Sequence, residues 1–109
     1  MRKALLFLMF LACGMAAQAD ERVVVGSKRF TESYILGEIV AQTARTTGVR
    51  AEHRPGLGNT AVVLEALKAG SIDIYPEYLG TVEQEILKLP TGSAPETIAR
   101  ELARRGLAH

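Results

Sequence analysis

The chain has 109 residues, and its 13 Lys or Arg against 12 Asp or Glu give a formal net charge of +1. This balance provides no basic field for nucleic acid or an anionic membrane, so we predict no nucleic-acid partner. One cysteine excludes an internal disulfide, and two histidines cannot form a spaced metal motif, so we expect neither a metal nor a cofactor.

The N-terminus has the layout of a secretory signal. Two basic residues precede an apolar run at 4–12, and the tripeptide at 17–19 has small residues at the two positions that a signal peptidase reads. We predict a signal peptide at 1–19 and a near-neutral mature chain, 20–109, in the periplasm. A lipoprotein signal with Cys13 as the lipidated residue is the alternative that we rank lower.

The first half of the mature chain alternates between strand and helix. Residues 23–25 are a β-branched run that predicts a buried strand. Apolar residues then recur at helical spacing and predict a helix with one apolar face, which Gly48 ends. Residues 49–54 predict a second strand. The members of the apolar face are Ile35, Leu36, Ile39, Val40, Thr43 and Ala44.

The second half repeats the alternation. Asn59 or Thr60 is placed to cap a helix that ends at Gly70, and residues 72–75 predict a third strand. Two later segments have the capping-box spacing and predict helices at 81–89 and up to Arg105. The capping pairs are Thr81 with Gln84 and Ser93 with Glu96.

The order β-α-β-α-β-α-α predicts an α/β fold with a mostly parallel sheet. Ligands bind outside the carboxyl ends of the strands in open sheets of this kind. Three loops leave those ends, at 26–32, 55–60 and 76–81, and each leads into the N-terminus of a predicted helix. We therefore expect these loops to form a binding site.

No catalytic or nucleotide site is predicted. The spacing Gly56-x-Gly58-x-x-Ala61 fits part of a dinucleotide motif, but a polar strand precedes it, and a tight turn explains it better. His53 is expected to face solvent, and Glu77 is a lone carboxylate. We therefore predict a binding protein rather than an enzyme.

The turn at 75–78 (YPEY) contains two of the three tyrosines. Aromatic rings bind quaternary ammonium by cation–π attraction, so a cation site is one interpretation of Tyr75 and Tyr78. Packing of one ring in the core, with the other ring covering it, is the alternative.

Three motifs in this chain resemble those of the glycine betaine/choline/carnitine-type binding proteins of ABC importers. The first is VVVGSKRFTE at 23–32 with YILGE at 34–38, the second is GLGNT at 56–60 with LEALK at 64–68, and the third is IDIYPEYLGT at 72–81. The motifs occur in order and cover nearly all of the mature chain.

The resemblance implies a periplasmic-binding-protein fold of type II, in which two α/β lobes close over a solute. It implies trimethylammonium solutes, a cage of tyrosines for the cation and a separate clamp for the carboxylate, with an ABC permease as partner; we expect a monomer. By position, Tyr78 resembles a cage ring, Lys28 the carboxylate clamp and Thr81 its hydroxyl partner. Weaker candidates at the same mouth are Phe30, Glu32, Asn59 and Thr60.

Members of the resembled family are much longer, so we expect residues 20–109 to be a partial first lobe that lacks the other cage tyrosines. Two alternatives stay open. The chain could be a receptor of the same fold for another small solute, such as an amino acid, or a truncated remnant that binds nothing.

Overall fold

The computed structural model describes residues 21–109, so the predicted signal peptide and Cys13 lie outside the described residues. The chain divides into two compact units at Pro76, and each is described by itself. Within residues 21–109, no helix has the length and apolar character needed to cross a membrane. The elements are β1 (Val23–Gly26), α1 (Thr31–Thr46), β2 (Ala51–Arg54), α2 (Thr60–Lys68), α3 (Leu79–Thr81), a π-helical turn (Val82–Ile86) and α4 (Pro95–Arg104).

The first unit has an α/β fold, as predicted. β1 and β2 pair in parallel, with Val23 opposite Ala51 and Val25 opposite His53. On its other edge β1 makes a parallel bridge between Val25 and Ile74. β1 is therefore the central strand, and Val25 at its middle is fully buried.

The predicted third strand is reduced to this single bridge. The amide of Asp73 donates to the carbonyl of Val24 at 2.8 Å, and the amide of Gly26 donates to the carbonyl of Ile74 at 2.9 Å. The amide of Val24 donates instead to the Asp73 carboxylate at 2.7 Å, so a side chain replaces the next carbonyl of the ladder. Pro76 follows two residues after Ile74 and has no N–H to continue the pairing.

The face of α1 that packs on the sheet is not the predicted one. The buried residues of α1 are Ser33, Gly37 and Ala41, whereas Ile35 and Ile39 are each more than half exposed. A Cβ atom added at Gly37 would lie 2.6 Å from Nε2 of His53, so only a stripe of small residues lets the helix approach this closely. The apolar spacing correctly indicated a helix but not its buried side.

The core of the first unit lies on the other side of the sheet from α1 and is contributed by β1, α2 and the segment after α2. Val24, Val63 and Ile72 form the buried cluster. Burying an aliphatic side chain of this size stabilises a fold by about 1.5–3 kcal/mol. The Tyr75 side chain packs against the same cluster, which settles its orientation in favour of the core.

The second unit has a small core of its own, formed by Leu87, Ile98 and Leu102. Both predicted capping boxes are wrong. The helix predicted at 81–89 begins at Leu79 and changes to a π-helical turn, so Thr81 lies inside it.

Ser93 does not cap the last helix either, because α4 begins at Pro95 after Ala94. The Ser93 hydroxyl donates to the carbonyl of Pro90 at 2.6 Å. The buried carboxylate of Glu83 accepts the amides of Gly92 and Ser93 at 3.0 and 3.2 Å and thereby fixes the loop before α4.

Gly37→Ala is expected to lower the free energy of unfolding of the first unit by about 1–3 kcal/mol, because overpacking at the helix–sheet contact outweighs the better helix propensity of alanine. Gly80→Ala is the matched control, because a Cβ there meets no atom within 4 Å. Urea unfolding followed by circular dichroism measures both. A Gly37→Ala chain as stable as the original would contradict the close approach of α1.

Candidate functional site

An open pocket of about 560 Å³ lies in the first unit at the carboxyl end of β1. Two of the three predicted loops meet there. The amide of Arg29 donates to the carbonyl of Gly58 at 2.9 Å, and the amide of Leu57 donates to the carbonyl of Ser27 at 3.0 Å. The lining residues are Lys28, Arg29, Phe30, Leu57, Gly58, Asn59, Thr60 and Val62.

The most distinctive side chain of the pocket is Lys28, which is only 8% exposed. Its Nζ donates to the Thr60 hydroxyl at 3.1 Å and lies 5.5 Å from the centre of the Phe30 ring. A buried ammonium loses much of its hydration, so polar and aromatic neighbours of this kind stabilise it. The pocket therefore has a pre-positioned positive charge in its wall.

The start of α2 adds to this positive potential. Asn59 is the N-cap, and its side-chain oxygen accepts the amide of Val62 at 3.1 Å, which confirms Asn59 rather than Thr60 as the cap. Thr60 is the first residue of α2, so its hydroxyl lies beside Lys28 at the positive end of the helix dipole.

Arg29 was not predicted, and it is the second cation that lines the pocket. Its Nε donates to the carbonyl of Gly56 at 3.4 Å. Gly56 has a φ of +70°, which glycine adopts without strain, and this conformation brings the carbonyl to Arg29. Because arginine is common in polar turns, its type alone gave no signal.

The structure brings together four of the seven predicted site residues, namely Lys28, Phe30, Asn59 and Thr60. Glu32 lies in the exposed first turn of α1 and does not line the pocket. Tyr78 and Thr81 belong to the second unit. There, Tyr78 is the exposed N-cap of α3, and Thr81 is the last residue of α3.

A chain of hydrogen bonds behind the pocket was also missed by the sequence analysis. The Ser27 hydroxyl lies 2.9 Å from Nε2 of His53, and Nδ1 of His53 lies 2.9 Å from the Glu38 carboxylate. The His53 side chain is 9% exposed, so the prediction that it faces solvent is wrong. These residues are 15 and 26 positions apart in sequence, and no local pattern connects them.

The order of groups matches that of a nucleophile, a base and an orienting carboxylate. Ser27, however, is fully buried, so its hydroxyl cannot reach a substrate, and the chain of bonds is structural. The hydrogen bond from His53, followed by that from Gln42, holds the pKa of Glu38 below its usual range. Within residues 21–109, no three His, Cys, Asp or Glu side chains are grouped to hold a metal.

In open α/β sheets, ligands bind outside the carboxyl ends of the strands, which is where this pocket lies. The family model described as "Substrate binding domain of ABC-type glycine betaine transport system" matches residues 21–103. The chain therefore belongs to this family of substrate-binding domains.

Individual relatives agree with the family. The chain is 43% identical over 72 residues to the glycine betaine-binding protein YehZ of Escherichia coli, covering 66% of this chain and 24% of YehZ. It is 35% identical over 72 residues to the ergothioneine transport permease/ergothioneine binding protein EgtU of Helicobacter pylori, covering 65% of this chain and 13% of EgtU. The chain thus spans about a quarter or less of these relatives.

The solved structure of apo YehZ from Escherichia coli is similar in fold to most of this chain. The TM-score is 0.65 at 33% identity, with 77% of this chain and 32% of that chain covered. The predicted α/β class and the relation to binding proteins of glycine betaine importers are confirmed.

Glu38→Gln is expected to reduce stability near pH 6 by more than near pH 3. Because the pKa of Glu38 is lowered in the folded chain, its contribution is present above the usual carboxyl pKa of about 4.3 and is lost as the pH falls through the folded value. Urea unfolding at both pH values measures the difference in the free energy of unfolding between the variant and the original chain.

Glu52→Gln is the comparison, because the pKa of Glu52 is also lowered, chiefly by its hydrogen bond from Arg54. Glu52→Gln is also expected to lose more stability near pH 6 than near pH 3. If the difference in the free energy of unfolding between Glu38→Gln and the original chain stays constant or widens toward low pH, the lowered pKa of Glu38 is contradicted.

Proposed function

We propose that the chain is the binding-lobe part of an exported receptor for glycine betaine- or choline-like quaternary ammonium solutes, which it delivers to the permease of an ABC importer. The observation that carries this proposal is the buried Lys28 ammonium held against Thr60 in a ligand-sized pocket. Family membership supports the same class of solute. Periplasmic location, signal cleavage after Ala19, a monomeric state and the absence of enzymatic activity belong to this proposal.

The pocket of the first unit suits the carboxylate of a betaine. Lys28 supplies a charge and Thr60 a hydroxyl at a helix N-terminus, and a hydrogen bond to a charged group contributes about 1.5–3 kcal/mol. Arg29 adds a second cation to the same wall. Phe30 is assigned to this end as well, because the Lys28 ammonium already lies 5.5 Å from the centre of its ring and would repel the ammonium of the solute.

The ammonium end of the solute requires aromatic rings, for which Tyr78 is the proposed contributor and Thr81 its neighbour on α3. Tyr78 is exposed, and its ring is not part of the small core of the second unit. One ring contributes about 0.5–2 kcal/mol to cation binding. Individual contacts of this size correspond to a dissociation constant near or weaker than millimolar.

A receptor for an amino acid is the second candidate. The observation that favours it is the pair of cations, because Lys28 and Arg29 would attract any carboxylate regardless of the substituents on the ligand nitrogen. A relative named the chemotactic signal transduction system substrate-binding protein CosB of Halobacterium salinarum is 33% identical over 61 residues, covering 55% of this chain and 18% of CosB. The name of CosB places that protein in signalling.

Glycine betaine is expected to shift the backbone amide resonances of Lys28 and Thr60 in an NMR titration of the 109-residue chain, with a dissociation constant near millimolar. Glycine is the matched ligand, because it differs only in the three N-methyl groups. Larger shifts with glycine would favour the amino-acid receptor, and no shifts with either would favour a chain that does not bind. Lys28→Met is expected to remove the shifts at Thr60.

Tyr78→Ala is expected to weaken glycine betaine binding about 2- to 30-fold, because one cation–π contact is worth about 0.5–2 kcal/mol. Tyr78→Phe keeps the ring and is expected to stay within about threefold of the original. The same titration measures both variants. Equal losses in the two would mean that the hydroxyl, and not the ring, contacts the solute.

A further inference from the structure

The hydrogen-bonded chain behind the pocket ends one residue before Lys28. We propose that His53, oriented by Glu38, is a positioning residue that fixes the pocket loop (residues 27–30) and so sets the position of the Lys28 ammonium. The part of this proposal that concerns a solute rests on the proposed function. The part that concerns the loop does not require a solute.

The partners of His53 determine how its ring is protonated. The Glu38 carboxylate only accepts hydrogen bonds, so Nδ1 of His53 is the protonated nitrogen that donates to it across 2.9 Å. In the neutral ring Nε2 is then an acceptor, and the Ser27 hydroxyl donates to it across 2.9 Å. The buried hydroxyl of Ser27 is satisfied only while the ring keeps this tautomer and orientation.

The ring has little freedom to turn. It lies between β2 and α1, where Gly37 leaves just enough room: an added Cβ would meet Nε2 at 2.6 Å and the Cβ of Ser27 at 3.1 Å. Glu38, the next residue of the same helix, holds the other end of the ring. α1 therefore contributes both the space for the imidazole and the carboxylate that orients it.

Ser27 passes this constraint to the pocket through its backbone. Its amide donates to the carbonyl of Arg54 at 3.3 Å, and its carbonyl accepts the amide of Leu57 at 3.0 Å. The amide of Lys28 donates to the Ser33 hydroxyl at 2.8 Å. A displacement of the Ser27 side chain would therefore move the backbone at the start of the pocket loop, directly before Lys28.

Protonation of His53 would disturb this arrangement. Both ring nitrogens of an imidazolium donate, so the Ser27 hydroxyl would have to accept from Nε2 and find another acceptor for its own proton in a fully buried position. The charged groups facing the ring come from α1: Glu38, and Arg45, which lies 3.4 Å from the same carboxylate. On β2 the neighbours Glu52 and Arg54 pair with each other at 3.0 Å, on the opposite face of the strand, and Lys28 follows Ser27 from β1.

The first experiment needs no solute. NMR of the 109-residue chain follows the backbone amide of Lys28 in the original chain, in His53→Leu and in His53→Gln. We expect His53→Leu, which cannot accept a hydrogen bond from the Ser27 hydroxyl, to shift the Lys28 amide. In His53→Gln, which keeps an acceptor near Ser27, the shift at Lys28 is expected to be much smaller.

Two carboxylate variants separate positioning from a general effect on stability. Glu38→Gln is expected to shift the Lys28 amide, because it removes the carboxylate that orients the His53 ring. Glu52→Gln, which removes a paired carboxylate on the strand of His53 but on its other face, is expected to leave the Lys28 amide unchanged. A Lys28 amide that does not change in His53→Leu, or that responds equally to both carboxylate variants, would overturn the proposal.

The second experiment uses glycine betaine as the probe. His53→Leu is expected to weaken its binding about tenfold at pH 7.5, whereas His53→Gln is expected to bind within about threefold of the original. Binding to His53→Leu as tight as to the original would overturn the positioning role. If glycine betaine does not bind the original chain, the proposed function fails, while the solute-free experiment still decides whether His53 positions the loop.

Discussion

The architecture of the first unit depends on the close contact between α1 and the β1–β2 pair. Gly37 makes this contact possible, because any side chain there would overlap the His53 imidazole. The contact places a buried polar ring between the helix and the sheet, and Glu38 and Ser27 satisfy both of its nitrogens. Polar groups buried in this way stabilise a fold only when all of them find partners, so they specify one register of the helix on the sheet.

The same contact relates the fold to the pocket. β1 ends at Gly26, and the following residues carry first the buried hydroxyl and then the buried ammonium. On the far side the turn with Gly56 and Gly58 gives its carbonyls to Arg29. The Arg29 side chain and amide are therefore held by backbone carbonyls, whereas the Lys28 ammonium is held by the Thr60 hydroxyl and the Phe30 ring.

Much of this could be predicted from the sequence, and the failures share a physical cause. The α/β class, a cap at Asn59 or Thr60 and two of the three loops at the carboxyl ends depend on local signals, namely alternation, capping chemistry and glycine turns. The buried face of α1 was wrong because steric room at Gly37, and not hydrophobicity, decides which side packs. The capping box at Thr81 was wrong because the helix already begins at Leu79, and that at Ser93 was wrong because Glu83 accepts the Ser93 amide and the helix begins at Pro95.

The Lys28 side chain is already ordered before any solute binds. Because Thr60 and Phe30 already hold its ammonium in the first unit, the conformational entropy of this long side chain is lost during folding and not when the solute arrives. A carboxylate would be attracted to a charge that is already in place, so solutes with the same carboxylate would associate at similar rates. Discrimination among them would then appear in how long each one stays bound.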